Sequence, residues 1–136
     1  MSGVFQIAVS GMAAASKKML NAATNIANAS TTGKLPQGEG DAGTVYRPTD
    51  VVTISNSVAD NKFGVTATTV ERDPAYSIAR DEGSPDANDE GLVAVPNVDL
   101  ASEAVDTLMA QLAYKANAKV IEAERENQKA LMDTLS

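Results

Sequence analysis

Phe5-Gln-Ile-Ala-Val-Ser-Gly-Met12-Ala-Ala-Ala-Ser-Lys-Lys-Met19-Leu-Asn-Ala-Ala-Thr-Asn-Ile26-Ala-Asn-Ala29 is the stretch on which the fold turns. Phe5, Met12, Met19 and Ile26 recur at a heptad interval, and Ala8, Ala15, Ala22 and Ala29 repeat three positions further on. A 3.5-residue apolar period keeps one narrow stripe of a helix turned toward a partner helix. The spacing therefore predicts a helix over residues 4–29 that packs on other helices rather than on a sheet. Alanine raises its propensity. Ser30-Thr-Thr-Gly33 ends the run, with Gly33 placed to take a left-handed conformation after the helix end.

A second stripe lies at the other end. Met109, Ala113, Ala116, Val120, Ala123, Asn127, Ala130 and Thr134 alternate in steps of four and three. Pro96-Asn97-Val98-Asp99 opens this helix: the proline biases its predecessor to extended geometry, Asn97 or Asp99 is placed to cap the first turn, and Glu103 adds favourable charge there. Run to near Met132, it would span about 50 Å against about 39 Å for the first helix. Half of each stripe is alanine. Helices with so little to bury are marginal alone, so the chain is expected to become ordered chiefly when neighbouring copies cover the stripes.

Between the helices the pattern changes. Val51–Ser55 and Val65–Glu71 are rich in β-branched residues and read as strands joined by the turn-forming Asn56–Gly64 region. Tyr76–Ala79 reads as a short third strand, and Leu92–Val95 as extended chain before Pro96. The fold class that follows is mainly α with a small β region. The terminal helices pair as an antiparallel coiled coil, and the middle holds short antiparallel strands and extended loops. Residues 1–34 and 97–136 are expected to form one discontinuous helical domain, and residues 35–96 a β/loop segment that contacts neighbouring subunits.

Composition narrows the chemistry. The 136 residues include no Cys, His or Trp, which removes disulfides, thiolate and imidazole metal sites, Cys nucleophiles and the commonest general base. The net charge of −7 is uneven: residues 1–34 carry Lys17, Lys18 and Lys34 and no acid, whereas the rest is acidic. Without a basic stripe, nucleic acid is not an expected partner. No run approaches the roughly 18 apolar residues of a membrane span. Lys17 and Lys18 follow the apolar stretch Val4–Met12 instead of preceding it, so a cleaved signal peptide is not expected.

Motif-like patterns lack the context their chemistry needs. Gly38-Glu-Gly-Asp-Ala-Gly43 has dinucleotide-fingerprint spacing, but Pro36 precedes it, Tyr46-Arg-Pro48 follows it, and its acids repel phosphate. Asp86, Asn88, Glu90 and Gly91 resemble the opening of a calcium loop, yet Asn97 stands where the bidentate Glu belongs. The carboxylate pairs Asp81/Glu82 and Asp89/Glu90 come with no apolar pocket to tune them for acid–base work. Neither cofactor nor metal nor small-molecule substrate is expected. Asn21, Asn25 and Asn28 share one helix face; they are either a solvated polar edge or amides that set helix register or bond a neighbouring backbone.

Two segments carry a resemblance. Asn21-Ala-Ala-Thr-Asn25-Ile-Ala-Asn28-Ala-Ser-Thr-Thr-Gly33 is similar to the signature of flagellar rod, hook and axial proteins. Gly91-Leu-Val-Ala-Val-Pro96-Asn97-Val98-Asp99, followed by Glu103, Tyr114 and Ala116-Asn117, resembles the flagellar basal-body rod protein family, most of all its proximal-rod, FlgC-type branch. The chain departs from the pattern at Lys34, where the family often has an aromatic, and in its acidic, glycine-rich Pro36–Gly43. The resemblance implies a structural, non-enzymatic rod subunit exported by the flagellar type III apparatus and assembled in the periplasm with copies of itself and other rod proteins. Its terminal helices would line a central channel. Phe5, Met12, Met19, Ile26, Met109, Ala113, Ala116, Val120, Ala123 and Ala130 would form the assembly seam, with Asn25, Asn28, Gly33, Pro96, Asn97 and Asp99 as motif positions. Two rivals are a small acidic helical export chaperone or adaptor, and an acid hydrolase built on Asp86, Asp89 and Glu90.

Overall fold

The computed structural model describes residues 3–38, 41, 43–56 and 63–135. Its elements run α1 (Gly3–Asn28), β1 (Thr49–Ser55), β2 (Val65–Glu71), β3 (Tyr76–Arg80), β4 (Leu92–Pro96) and α2 (Leu100–Thr134). The architecture is thus mainly helical, with the expected small strand pairs in the middle. These form two separate two-stranded sheets, β1–β2 and β3–β4. At 26 and 35 residues, the helices are about 39 and 52 Å long. Parts of two expected features, Glu39, Gly40 and Ala42 of the glycine-rich stretch and residues 57–62 of the turn region, lie outside the described residues.

The chain divides into two compact units. Unit 1 comprises Met1–Leu20, Val51–Thr68 and Asp106–Ser136. Here the Ser10 hydroxyl donates to Ile7 O at 2.7 Å and accepts the Val65 N–H at 3.0 Å. Gly64, at φ 93°, makes that approach possible: a Cβ there would stand 1.9 Å from Ser10 Oγ. Lys17 Nζ donates to Ala67 O at 2.9 Å. The two helices meet where Gly11 faces Asn117, whose amide oxygen would lie 2.6 Å from an added Cβ.

Unit 2 comprises Asn21–Asp50 and Thr69–Val105. β3 and β4 pair antiparallel, from Tyr76 opposite Pro96 to Arg80 opposite Leu92. On the other edge of β4, Gly33 and Ala94 exchange both backbone hydrogen bonds, at 3.0 and 2.9 Å. Gly33 is required for a reason other than the expected one. Among the described residues the positive-φ glycines are Gly43, Gly64 and Gly91; Gly33 instead lies so close to the chain that a Cβ would fall 2.4 Å from Val45 N. That neighbour is backbone and cannot swing aside. The α1 terminus is closed by Thr31, whose N–H and hydroxyl both donate to Asn28 O.

The core is built of small residues. Among the described residues the buried apolar side chains are Ala8, Ala14, Ala15, Ala22, Val45, Ala75, Val93, Ala94 and Ala110, with Pro48 and Pro96 also buried. No large aliphatic or aromatic side chain joins them, although such residues supply most of the burial energy of ordinary domains.

Candidate assembly site

Two features stand out: a buried polar network and an uncovered apolar stripe. The network starts on α1. Asn25 is fully buried and its amide is saturated. Nδ2 donates to Thr49 O and to Glu103 Oε1, both at 2.9 Å. Oδ1 accepts the Tyr46 hydroxyl at 2.8 Å and the Thr49 N–H at 3.3 Å. Two donors and two lone pairs are the whole inventory of an amide. Toward Thr49 the side chain thus acts as a β-strand neighbour would, accepting from the N–H and donating to the C=O of one residue. One turn earlier, Asn21 Nδ2 donates to the same Thr49 O, and the Thr49 hydroxyl donates to Asn21 Oδ1. Asn28 lies apart from this set; its amide donates back to Thr24 O on its own helix.

Glu103 enters the network from α2 and is 2 % exposed. Its Oε1 also accepts from Arg72 Nη2 at 2.9 Å. Arg72 follows β2 and reaches three ways: Nη2 and Nε to the Asp50 carboxylate at 2.5 and 3.3 Å, and Nη1 to Asn97 O at 3.0 Å. The Asp50 hydrogen bonds, with Glu103 behind them, hold the guanidinium charged far above its usual range. Burial pushes the Tyr46 phenol up, and the negative charge of Glu103 pushes it the same way.

The remaining motif positions set where α2 begins. Pro96 is buried at the end of β4. Asn97 is tied to the preceding loop, its N–H donating to Ala75 O and its side-chain amide to Pro74 O, both at 3.0 Å. Asp99 is the cap: its carboxylate accepts the Ala101 N–H and the Ser102 hydroxyl, both at 3.0 Å. These bonds, the Ala101 amide first, hold its carboxyl below the usual carboxylate value.

The stripes fall as follows. On α1, Ala8, Ala15 and Ala22 are buried, Phe5, Met12 and Met19 are half-buried, and Ile26 is exposed. On α2, Glu103 and Ala110 are buried, and Thr107, Asn117, Ala118, Ile121 and Glu124 are half-buried. The spacing-derived positions Met109, Ala113, Ala116, Val120, Ala123 and Ala130 are all exposed. They sit one residue ahead of the inward positions, which turns them about 100° around the helix. Leu108, Met109 and Leu112, at 59, 63 and 63 % exposure, belong to this outward face with Val105 and Val120. α2 therefore carries an inward face of mixed polarity, which the chain itself covers, and an outward apolar stripe, which it leaves exposed.

Sequence reasoning singled out Asn25 and Glu103 but missed Tyr46, Thr49, Asp50 and Arg72. No spacing rule connects a helix amide to a peptide 24 residues on. A lone arginine between a strand and Asp73-Pro74 was the nearest signal. Asp86, Asp89 and Glu90 lie in a loop organised by Asn88, whose Oδ1 accepts the Glu90 and Leu92 N–H groups. An open groove of about 380 Å³ runs between this loop and Lys34–Gln37. Among the described residues no group of acids is arranged to hold a metal ion, and no helix is long and apolar enough to cross a membrane.

Residues 90–134 match the family model described as flagellar basal body rod FlgEFG protein C-terminal. The flagellar basal-body rod protein FlgC of Salmonella typhimurium strain LT2 is 36 % identical over 121 residues, covering 87 % of this chain and 85 % of that protein. The protein of the same name from Escherichia coli O157:H7 is 35 % identical over the same shares. That of Agrobacterium fabrum is 31 % identical over 139 residues, or 99 % of this chain and 95 % of the relative. The chaperone and hydrolase alternatives find no support in these matches. The chain belongs to the FlgC family of flagellar basal-body rod proteins, as a structural subunit of the rod and not an enzyme.

Proposed function

We propose that this subunit polymerises through its terminal helices into a tubular shaft with a central export channel, and that the outward stripe of α2 is its principal assembly surface. The observation that carries this is the uncovered face of Val105, Leu108, Met109 and Leu112. A contiguous apolar stripe left in water is the mark of an interaction site, and this one lies on a helix whose inward side is already in use. Met109, Ala113, Ala116, Val120, Ala123 and Ala130 then meet neighbouring copies. Phe5, Met12, Met19 and Ile26 complete the seam from α1, and their alanine companions let helix backbones approach closely.

In this reading α1 and α2 pair as an antiparallel coiled coil. Two contacts support it: Asn25 with Glu103, and Gly11 with Asn117. Fourteen residues back along α1 correspond to fourteen forward along α2, which is two heptads in opposite directions. Residues 1–34 and 97–136 form the inner domain, and 35–96 lies outside it against neighbouring subunits. The motif residues Asn25, Gly33, Pro96, Asn97 and Asp99 hold that segment to the helices, and Asn28 closes the α1 end. The partners are copies of this chain, other rod proteins and the flagellar type III export apparatus, with assembly in the periplasm. Absence of cysteine and a thin alanine core suit a chain that travels unfolded.

Met109→Asp tests the surface. The side chain is exposed in the single chain, so the fold tolerates the charge, whereas burial at a subunit interface costs several kcal/mol or more. The variant should keep wild-type helix content and fail to enter basal bodies, leaving cells non-motile. Normal incorporation and swimming would remove this stripe from the interface.

A further inference from the structure

We propose that the Asn25–Glu103–Arg72 network is a register lock, through which the middle segment dictates how α1 and α2 align. The inference rests on the helix pairing proposed above. The apolar seam of α1 does not encode its own register: Ala8, Ala15 and Ala22 are buried at heptad intervals, so sliding the partner by seven residues presents alanine again. Ala110, one heptad beyond Glu103, is likewise small and buried. Apart from the close approach of Gly11 to Asn117, the alanine seam therefore has several alignments of similar packing.

The polar groups break that degeneracy. Asn25 and Glu103 are the buried polar side chains among the described residues. A slip of one heptad places Asn25 opposite Ala110 and strips it of the Glu103 carboxylate. Buried polar pairs in helix seams fix register in this way, because the misaligned state leaves a desolvated group unmatched. In this chain the lock has a third component outside both helices. Glu103 Oε1 is shared between Asn25 and Arg72, Arg72 is braced by Asp50, and Asn25 is clamped to the Thr49 peptide. Thr49, Asp50 and Arg72 sit at the ends of β1 and β2 in the same unit. The correct register is thus available only when both strand ends are seated.

Oxidative cross-linking of the full purified chain reads the register directly, since the protein has no cysteine of its own. Folding is driven with trimethylamine N-oxide, which strengthens burial, and helix content is confirmed by circular dichroism. Gly11→Cys is combined in turn with Asn117→Cys, the observed alignment, and with Ala110→Cys or Glu124→Cys, the two slipped ones. With the network intact, the 11/117 pair should cross-link about tenfold or more over either slipped pair. In the background Asn25→Leu, Arg72→Leu, Glu103→Leu, helicity should persist while the three yields converge. A triple-leucine chain that keeps the single 11/117 register overturns the lock, and so does one that loses its helices, which assigns the network to stability alone. Failure of all three pairs in the intact background instead contradicts the helix pairing itself.

Discussion

Asn25 meets four demands with one amide, and no other side chain has the same combination of length, donors and acceptors. Asn25→Asp removes both donors and sets a second carboxylate against Glu103. Asn25→Leu takes away the acceptor of the Thr49 N–H and of the Tyr46 hydroxyl, while Thr49 O keeps its bond from Asn21. Each change should cost about 1–3 kcal/mol, the expense of leaving part-buried groups unmatched, measured as a shift of the folding midpoint in trimethylamine N-oxide. Arg72→Met should cost a similar amount by leaving the Glu103 carboxylate buried without its ion pair. Arg72→Lys should not restore stability, because one ammonium cannot serve Asp50, Glu103 and Asn97 O together. The outlying pairs Arg47–Glu71, Arg80–Glu82 and Lys119–Glu122 are solvent-exposed and should contribute little. Legibility at this scale was partial. The helix asparagines could be read from their shared face, but the residues they bind could not, since Glu103 lies 78 positions away and no local period joins them.

At the scale of elements, the helices and strands were readable because their signals are local: a heptad stripe, a capping Asp, β-branched runs. The angle of the α2 stripe was not. The apolar spacing picks out the outward stripe, whereas tertiary packing turns inward a face of mixed polarity that includes Glu103, Thr107, Ala110, Asn117 and Ile121. Here the selection is made by Glu103, a polar residue that an apolar-period reading passes over. The start of α2 depends on Asp99, which gives a pH dependence of definite sign. Its carboxyl is depressed in the folded chain, so its contribution is present above the ordinary carboxylate pKa and is lost as pH falls through the lower folded value. Helix content should decline below about pH 4. Asp99→Asn, which keeps a capping side chain but does not titrate, should flatten that decline in a circular-dichroism titration. An identical acid response in the variant would detach the effect from Asp99.

For the whole molecule, the deciding fact is what fills the core. Alanine and valine do, while Ile7, Leu20, Leu108, Met109, Leu112 and Leu131 remain in water. A chain so arranged leaves large apolar side chains for neighbours to cover, and its helicity in dilute solution should be low, weakly cooperative on heating and increased by concentration. Full helicity with a sharp, concentration-independent melt would contradict coupling of order to assembly. The α2 overhang belongs to the same economy of contacts: 35 helical residues against 26 leave the α2 end without an α1 segment of equal length.

The outward stripe of α2 is the proposed meeting place of rod subunits. An electron-microscopy map of isolated basal bodies, at a resolution that places side chains, tests it most directly. The expected result is Leu108, Met109 and Leu112 enclosed by helices of adjacent subunits, with the Asn25–Glu103–Arg72 network intact inside each one. A map in which those three residues face the channel or solvent, and subunits join instead through residues 35–96 alone, would contradict it.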